Sequence, residues 1–165
     1  PFVAKDLITT VAGLLHTKDD GDAAQTKATT VRILIVDDNS MNQRVAKAIV
    51  EKAGFEAVVL DNGQLAVDFV ANNHCDMILM DCQMPVLDGF EATRVIREMQ
   101  SLGRLGRGCR TPLPIVAVTA NAMEGDREKC VAAGMDDYVT KPIKAKVVLE
   151  AIEAQLKKRH TKSRI

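Results

Sequence analysis

The chain has 165 residues, 47% hydrophobic and 27% charged, which suits one domain with a sizeable core, short appendages and an ordinary soluble surface. Its 22 lysines and arginines balance 22 aspartates and glutamates, and 3% of residues are aromatic, so neither a net pull toward DNA or acidic membranes nor stacking on bases is expected. No stretch approaches the ~20 apolar residues of a membrane span and no signal peptide is visible, so no membrane contact by this segment is expected.

The chain opens on Pro1 rather than methionine and is expected to be an excised piece of a longer protein. Within 1–16, Val3, Leu7, Val11, Leu14 and Leu15 share one helical stripe, which predicts a short helix or the end of an upstream domain. Residues 17–30 hold no large apolar side chain from Lys18 to Thr30 and read as a flexible linker. From residue 31 the text alternates. Apolar runs at 31–36, 57–60, 77–80, 115–118 and 137–139 predict strands, and helical periodicity fits 41–53, 64–72, 89–102, 122–133 and 144–158. Gly54 and Gly134 stand where helix C-caps belong, and Asn39 or Ser40 can cap the first helix. Five strand–helix pairs imply an α/β domain over 31–158, a parallel sheet with right-handed crossovers and helices on both faces. Residues 101–112, SLGRLGRGCRTP, break this rhythm; without a Gly-Lys-Ser/Thr ending they are no phosphate loop and read as a solvated surface insertion. The basic residues Lys157, Lys158, Arg159, Lys162 and Arg164 predict a solvated helix end and a frayed tail over 159–165. Cys75, Cys82, Cys109 and Cys130 form no Cys-x-x-Cys pair; they read as core filler, and free thiols favour the cytosol.

Several chemically apt residues end these strands: Asp37 and Asp38 after the first, Asp81 after the third, Thr119 after the fourth and Lys141 after the fifth. Open parallel sheets bind ligands outside the carboxyl ends of the strands, where strand order reverses. In a five-strand unit of order 2-1-3-4-5 that point lies between strands one and three, so the three acids converge there. Packed carboxylates raise each other's pKa and call for a cation. Mg²⁺ suits hard oxygen ligands and phosphate oxygens, Lys141 suits a phosphoryl group as a point charge, and Thr119 offers a hydroxyl. A carboxylate in such a place can attack a phosphoryl group. Taken singly, each residue also fits a plainer role: Asp37, Asp38 and Asn39 a turn and cap, Asp81 a loop acid before Pro85, Lys141 a surface lysine.

The segments VDDNSMN (36–42), MDCQMPVLDGFEATRVIR (80–97), PIVAVTANAM (114–123) and GMDDYVTKPI (134–143) resemble, in order and spacing, the receiver domain of two-component response regulators. The resemblance runs from about residue 31 to 156 and is strongest to receivers fused to hybrid sensor histidine kinases. It implies a flavodoxin-like (βα)5 receiver fold with Asp81 as phosphoacceptor, taking its phosphoryl group from phosphohistidine on a histidine kinase domain or a histidine-containing phosphotransfer protein. It further implies that Asp38 and Asp81 ligate Mg²⁺ directly, Asp37 partly through water, and the Gln83 backbone carbonyl as well. Lys141 and Thr119 would hold the phosphoryl group with the Ala120 N–H, and Tyr138 would turn inward as Thr119 moves. Gln83 and Asn121 would tune the lifetime of the phosphoaspartate, and Lys141–Pro142 would be cis. The readout would be the face of helix four, strand five and helix five, in a cytoplasmic domain or the cytosolic part of a membrane-bound sensor. Such a domain catalyses only its own phosphorylation and dephosphorylation.

Other readings differ in chemistry. A receiver-like scaffold that is never phosphorylated would normally have lost an acid or the lysine, and this chain keeps them all. An aspartyl phosphohydrolase of the haloacid-dehalogenase type would want an acid two residues beyond the nucleophile, where Gln83 cannot donate a proton. His16, His74 and His160 lack the surroundings of a kinase phosphorylation box and read as surface residues.

Overall fold

The structure, a computed structural model, describes residues 30–162 apart from 110 and 122. The expected helix within 1–16, the linker up to residue 29 and His16 therefore lie outside the described residues. Strands β1 (Arg32–Val36), β2 (Glu56–Leu60), β3 (Met77–Asp81), β4 (Ile115–Thr119) and β5 (Asp137–Thr140) form one parallel sheet in the order β2-β1-β3-β4-β5. Helices α1 (Ser40–Lys52), α2 (Gly63–Asn72), α3 (Gly89–Ser101), α4 (Glu124–Ala133) and α5 (Ala145–Lys162) follow the strands in turn. This is the flavodoxin-like α/β arrangement expected from the sequence.

Alternation along each central strand divides the core into two halves. Leu34, Val36, Ile78, Met80, Ile115 and Ala117 face one way and pack with Ala66, Val67 and Val70 of α2, Ala92 and Ile96 of α3 and Cys130 of α4. The intervening Ile33, Ile35, Met77, Leu79, Val116 and Val118 are equally buried, and Ala46 of α1 and Val148 of α5 join Ile35, Leu79 and Val118. Both faces of β3 and β4 are thus dry, which explains their continuous apolar text, whereas the edge strands β2 and β5 are only partly buried.

The helix ends follow local chemistry. The Asn39 side chain accepts from Met41 N and Asn42 N to start α1, Asn62 caps α2 and Asp88 caps α3. Gly134 takes a left-handed conformation at the end of α4 (φ 95°), as expected of a glycine C-cap. Helix α4 starts at Glu124 rather than 122, and Met123 at its cap position makes no side-chain bond to the helix. Helix α5 runs four residues past the expected 158, through Lys162, taking in the start of the expected tail.

The 101–112 segment is a largely exposed surface insertion, as expected, but it is anchored at three residues of intermediate exposure, Leu105, Gly106 and Cys109. It folds back on the end of α2: Gly106 N donates to Val70 O (2.7 Å), and the Cys109 thiol donates to Asn73 O (3.0 Å). Leu105 and Cys109 rest against the core while Arg104 and Arg107 stay exposed. Two leucine- and cysteine-sized apolar groups within a Gly/Arg-rich text were enough to dock it. The segment lies at the amino-terminal edge of the sheet, away from the strand exits.

Candidate functional site

Strand registers bring the carboxyl ends of β1, β3, β4 and β5 to one edge. Val36 pairs with Met80, Asp81 with Val118, and Thr119 with Thr140. Asp81 and Thr119 are themselves the last residues of their strands rather than the first of a loop, so each hangs from a paired backbone. Asp37 continues the ladder by one bond, its N–H donating to Leu60 O (3.1 Å). At the order reversal between β1 and β3, carboxylate oxygens of Asp37, Asp38 and Asp81 all lie within 4.8 Å of one another.

The three acids differ in setting. Asp81 and Asp37 are 2% and 3% exposed, so they meet little bulk water, whereas Asp38 is exposed and borders an open cleft. That cleft, about 480 Å³, is lined also by Gln83, Met84, Pro85 and Asp88. Lys141 reaches in from the end of β5, its Nζ 3.0 Å from Asp81 Oδ2 and 3.4 Å from Asp37 Oδ2. Gln83 N donates to the other Asp81 oxygen (3.2 Å), and Asn39 N donates to Asp37 Oδ1 (2.8 Å).

Burial pushes the Asp81 carboxyl above the ordinary 3.8, and the charge of Asp37 adds to the rise, against the Lys141 hydrogen bond and the Gln83 N–H. Burial alone would lower Lys141. The Asp81 bond and the charges of both acids outweigh it and hold the ammonium above its ordinary value. The two shifts pull opposite ways on one ion pair. The acid carries the desolvation penalty, because the side chain of Asp81 is 3% exposed and that of Lys141 is 23%. One ammonium thus stands against three clustered carboxylates, two of them buried. Hard anionic oxygens with unbalanced charge are what Mg²⁺ requires, so the donor set fits that ion.

The remaining expected residues fall around this centre. The Thr119 hydroxyl donates to Asn121 O and accepts from Asn121 N, both at 3.2 Å, so it is turned along its own loop. Ala120, Asn121 and Gln83 are exposed at the rim. Tyr138 lies on β5 beside Ala117 and is 36% exposed, outward rather than inward. The Lys141–Pro142 peptide is cis.

Three features escaped the sequence reading. Gly89 N donates to Cys82 O (3.2 Å), and a Cβ at position 89 would overlap the Asp81 carbonyl oxygen, so only glycine lets α3 begin so close to β3. Gln43 Nε2 donates to both Asp37 O (2.6 Å) and Asp61 Oδ1 (2.7 Å), and Asn42 Nδ2 donates to Asp37 Oδ1 (3.3 Å). Val86, in the β3–α3 loop, adopts φ 73° while 81% exposed. The Asp-Gly pair at 88–89 was a visible turn signal for the first; nothing local in sequence announces the other two.

A parallel sheet of this order with an acidic cluster at its reversal point is the arrangement expected of a receiver domain. The family model described as "Response regulator receiver domain" matches residues 33–153, and the chain belongs to that family. Hybrid signal transduction histidine kinase I of Dictyostelium discoideum is 43% identical over 130 residues, covering 76% of this chain and 7% of that protein. The chain therefore spans a small part of the curated relatives it matches. A crystal structure of a sensor histidine kinase receiver domain from Pseudomonas aeruginosa PAO1, with a magnesium ion coordinated in its active-site cleft, is 40% identical with a TM-score of 0.65, covering 76% of this chain and 97% of that one. The receiver domain of a Saccharomyces cerevisiae response regulator, crystallised with its histidine phosphotransfer protein, is 32% identical with a TM-score of 0.65, covering 76% and 86%. Among the described residues no helix is long and apolar enough to cross a membrane.

Proposed function

We propose that this receiver domain accepts a phosphoryl group from phosphohistidine onto Asp81 and relays the resulting change of state. The observation that carries the reading is the buried Asp81 carboxylate, 3.0 Å from the Lys141 ammonium and within 4.8 Å of two further acids at the sheet's reversal point. Asp38 and Asp81 would hold Mg²⁺ directly, with Asp37 helping partly through water and Gln83 through its carbonyl. The Pseudomonas neighbour with magnesium in its cleft supports this choice of ion. When bound, Mg²⁺ supplies positive charge to phosphoryl oxygens.

An Asp81 oxygen forms a P–O bond as the P–N bond of the donor breaks, and the donor imidazole leaves with the electron pair of that bond. Lys141 then trades its Asp81 contact for a phosphoryl oxygen. Thr119, whose hydroxyl is held only by its own loop, swings to another, joined by the Ala120 N–H. Those contacts exist in one state alone, which is what shifts an equilibrium. Movement of Thr119 vacates room for Tyr138, and the α4–β5–α5 face reports the change. Gln83 and Asn121, at the rim, set how readily water reaches the acyl phosphate.

The donor is a histidine kinase domain or a phosphotransfer protein, as the yeast complex suggests, and the parent chain is a cytosolic-facing hybrid histidine kinase, as its relatives suggest. Incubation with Mg²⁺ and acetyl phosphate, followed by intact-mass measurement, is expected to add one phosphoryl group that Asp81→Asn abolishes. An unmodified wild-type domain with an intact fold would favour a docking scaffold instead.

A further inference from the structure

One of the three acids, Asp37, is tethered by the start of α1, and the tether reaches a residue outside the cluster. The Asp37 carbonyl lies past the end of the β1–β2 ladder, where no strand partner remains for it. The Gln43 carboxamide takes that place. Its single nitrogen carries two hydrogens, and two acceptors face it: Asp37 O at 2.6 Å and Asp61 Oδ1 at 2.7 Å. The opposite amide orientation would set oxygen against oxygen twice, so the contacts themselves fix it. Asp61 follows β2, so the bridge ties the exits of two adjacent strands. Its carboxylate makes the bond charge-assisted and therefore strong for an amide.

The carbonyl so held belongs to the peptide that joins Asp37 to Asp38. Asp37 has its carboxylate fixed independently by Asn39 N, Asn42 Nδ2 and Lys141 Nζ. Asp38 is exposed, and the plane of that peptide sets where its side chain starts. We infer that Gln43 is a positioning residue: by pinning the Asp37–Asp38 peptide to Asp61, it holds Asp38 in place for the cation. The inference rests on the Mg²⁺ reading proposed above.

Outer groups that orient a metal ligand typically contribute 10–100-fold in affinity. Calorimetric Mg²⁺ titration of the intact chain tests this, with melting temperature in chelator as the control for folding. Gln43→Met, close in shape but without donors, is expected to weaken Mg²⁺ binding about tenfold. Gln43→Glu is expected to be at least as weak, although its added negative charge would by attraction alone tighten binding. Gln43→Lys restores a donor to both oxygens and is expected to bind more tightly than Gln43→Glu, against the order of their charges. Wild-type or tighter affinity in Gln43→Met and Gln43→Glu overturns the positioning role, whatever happens to their melting temperatures. Gln43→Met adds no charge and carries the test alone if Gln43→Glu does not fold. Absence of Mg²⁺ binding by the wild-type chain is a separate result, which overturns the metal reading and this inference with it.

Discussion

At neutral pH the Asp81 carboxylate is nearly out of reach of water, and its neighbours only partly replace that hydration. A group whose native pKa is raised contributes stability at pH values below its unfolded pKa, and that contribution is lost as pH climbs through the native value. At pH 7 the ionised Asp81 therefore weighs against the metal-free fold. Asp81→Asn is expected to raise the melting temperature in chelator, with Lys141 keeping Asp37 as partner. The gain should shrink as pH falls through the raised native value toward the ordinary carboxylate range and be gone below that range, and Mg²⁺ should stabilise the wild type but not the variant. Val86 carries a second local penalty. A β-branched residue at φ 73° is strained by about 1–2 kcal/mol, and its 81% exposed side chain recovers little by packing. Val86→Gly is expected to raise the unfolding free energy obtained from urea titration by about 0.5–1 kcal/mol after the glycine's extra unfolded freedom is counted. The buried thiols are quiet by comparison: burial pushes Cys75 up to about 12, so alkylation at pH 8 should be slow until the chain is unfolded.

At the scale of elements, what matters is how closely α3 approaches the end of β3. Gly89 opens that helix directly over the Asp81 carbonyl, and Thr93 Oγ1 donates back to Gly89 O (2.7 Å), tightening the same turn. Gly89→Ala is expected to cost about 1–3 kcal/mol in chemical denaturation and to slow phosphorylation by acetyl phosphate, because the only relief is to move the strand end. Arg97, also on α3, spans to three other places: Gly134 O (2.8 Å), Leu113 O (2.7 Å) and Asp136 Oδ2 (2.8 Å). It fastens α3 to the turn leaving α4. Arg97→Ala should lower stability by about 2 kcal/mol in the same assay, since two carbonyls and a carboxylate lose a charged donor together.

For the molecule as a whole, the parts that were readable from sequence are those with a period or a chain-local cause. Continuous apolar runs marked β1, β3 and β4, and the acids, Thr119 and Lys141 were conspicuous because each interrupts such a run. Parallel pairing then did the rest, gathering residues 104 positions apart at Asp37 and Lys141 to 3.4 Å. The Gln43–Asp61 bridge and the Arg97 tether were invisible for the converse reason. A polar side chain on the outer part of a helix looks alike in sequence whether it meets water or a distant carbonyl. The 101–112 segment is exposed as its composition announced, but its anchoring by Leu105 and Cys109 was hidden, since Gly and Arg outnumber the two residues that dock it. Tyr138 brings these scales together. It is the only tyrosine in a chain without tryptophan, so emission excited beyond the absorption of the four phenylalanines comes from this one ring. The domain carries a built-in optical gauge at the place where its switching is expected to surface. Phosphorylation should change the intensity of that emission and its quenching by iodide, and a chain with Thr119→Ala should leave both flat. The conformational equilibrium could then be followed in unlabelled protein, in real time, by light alone.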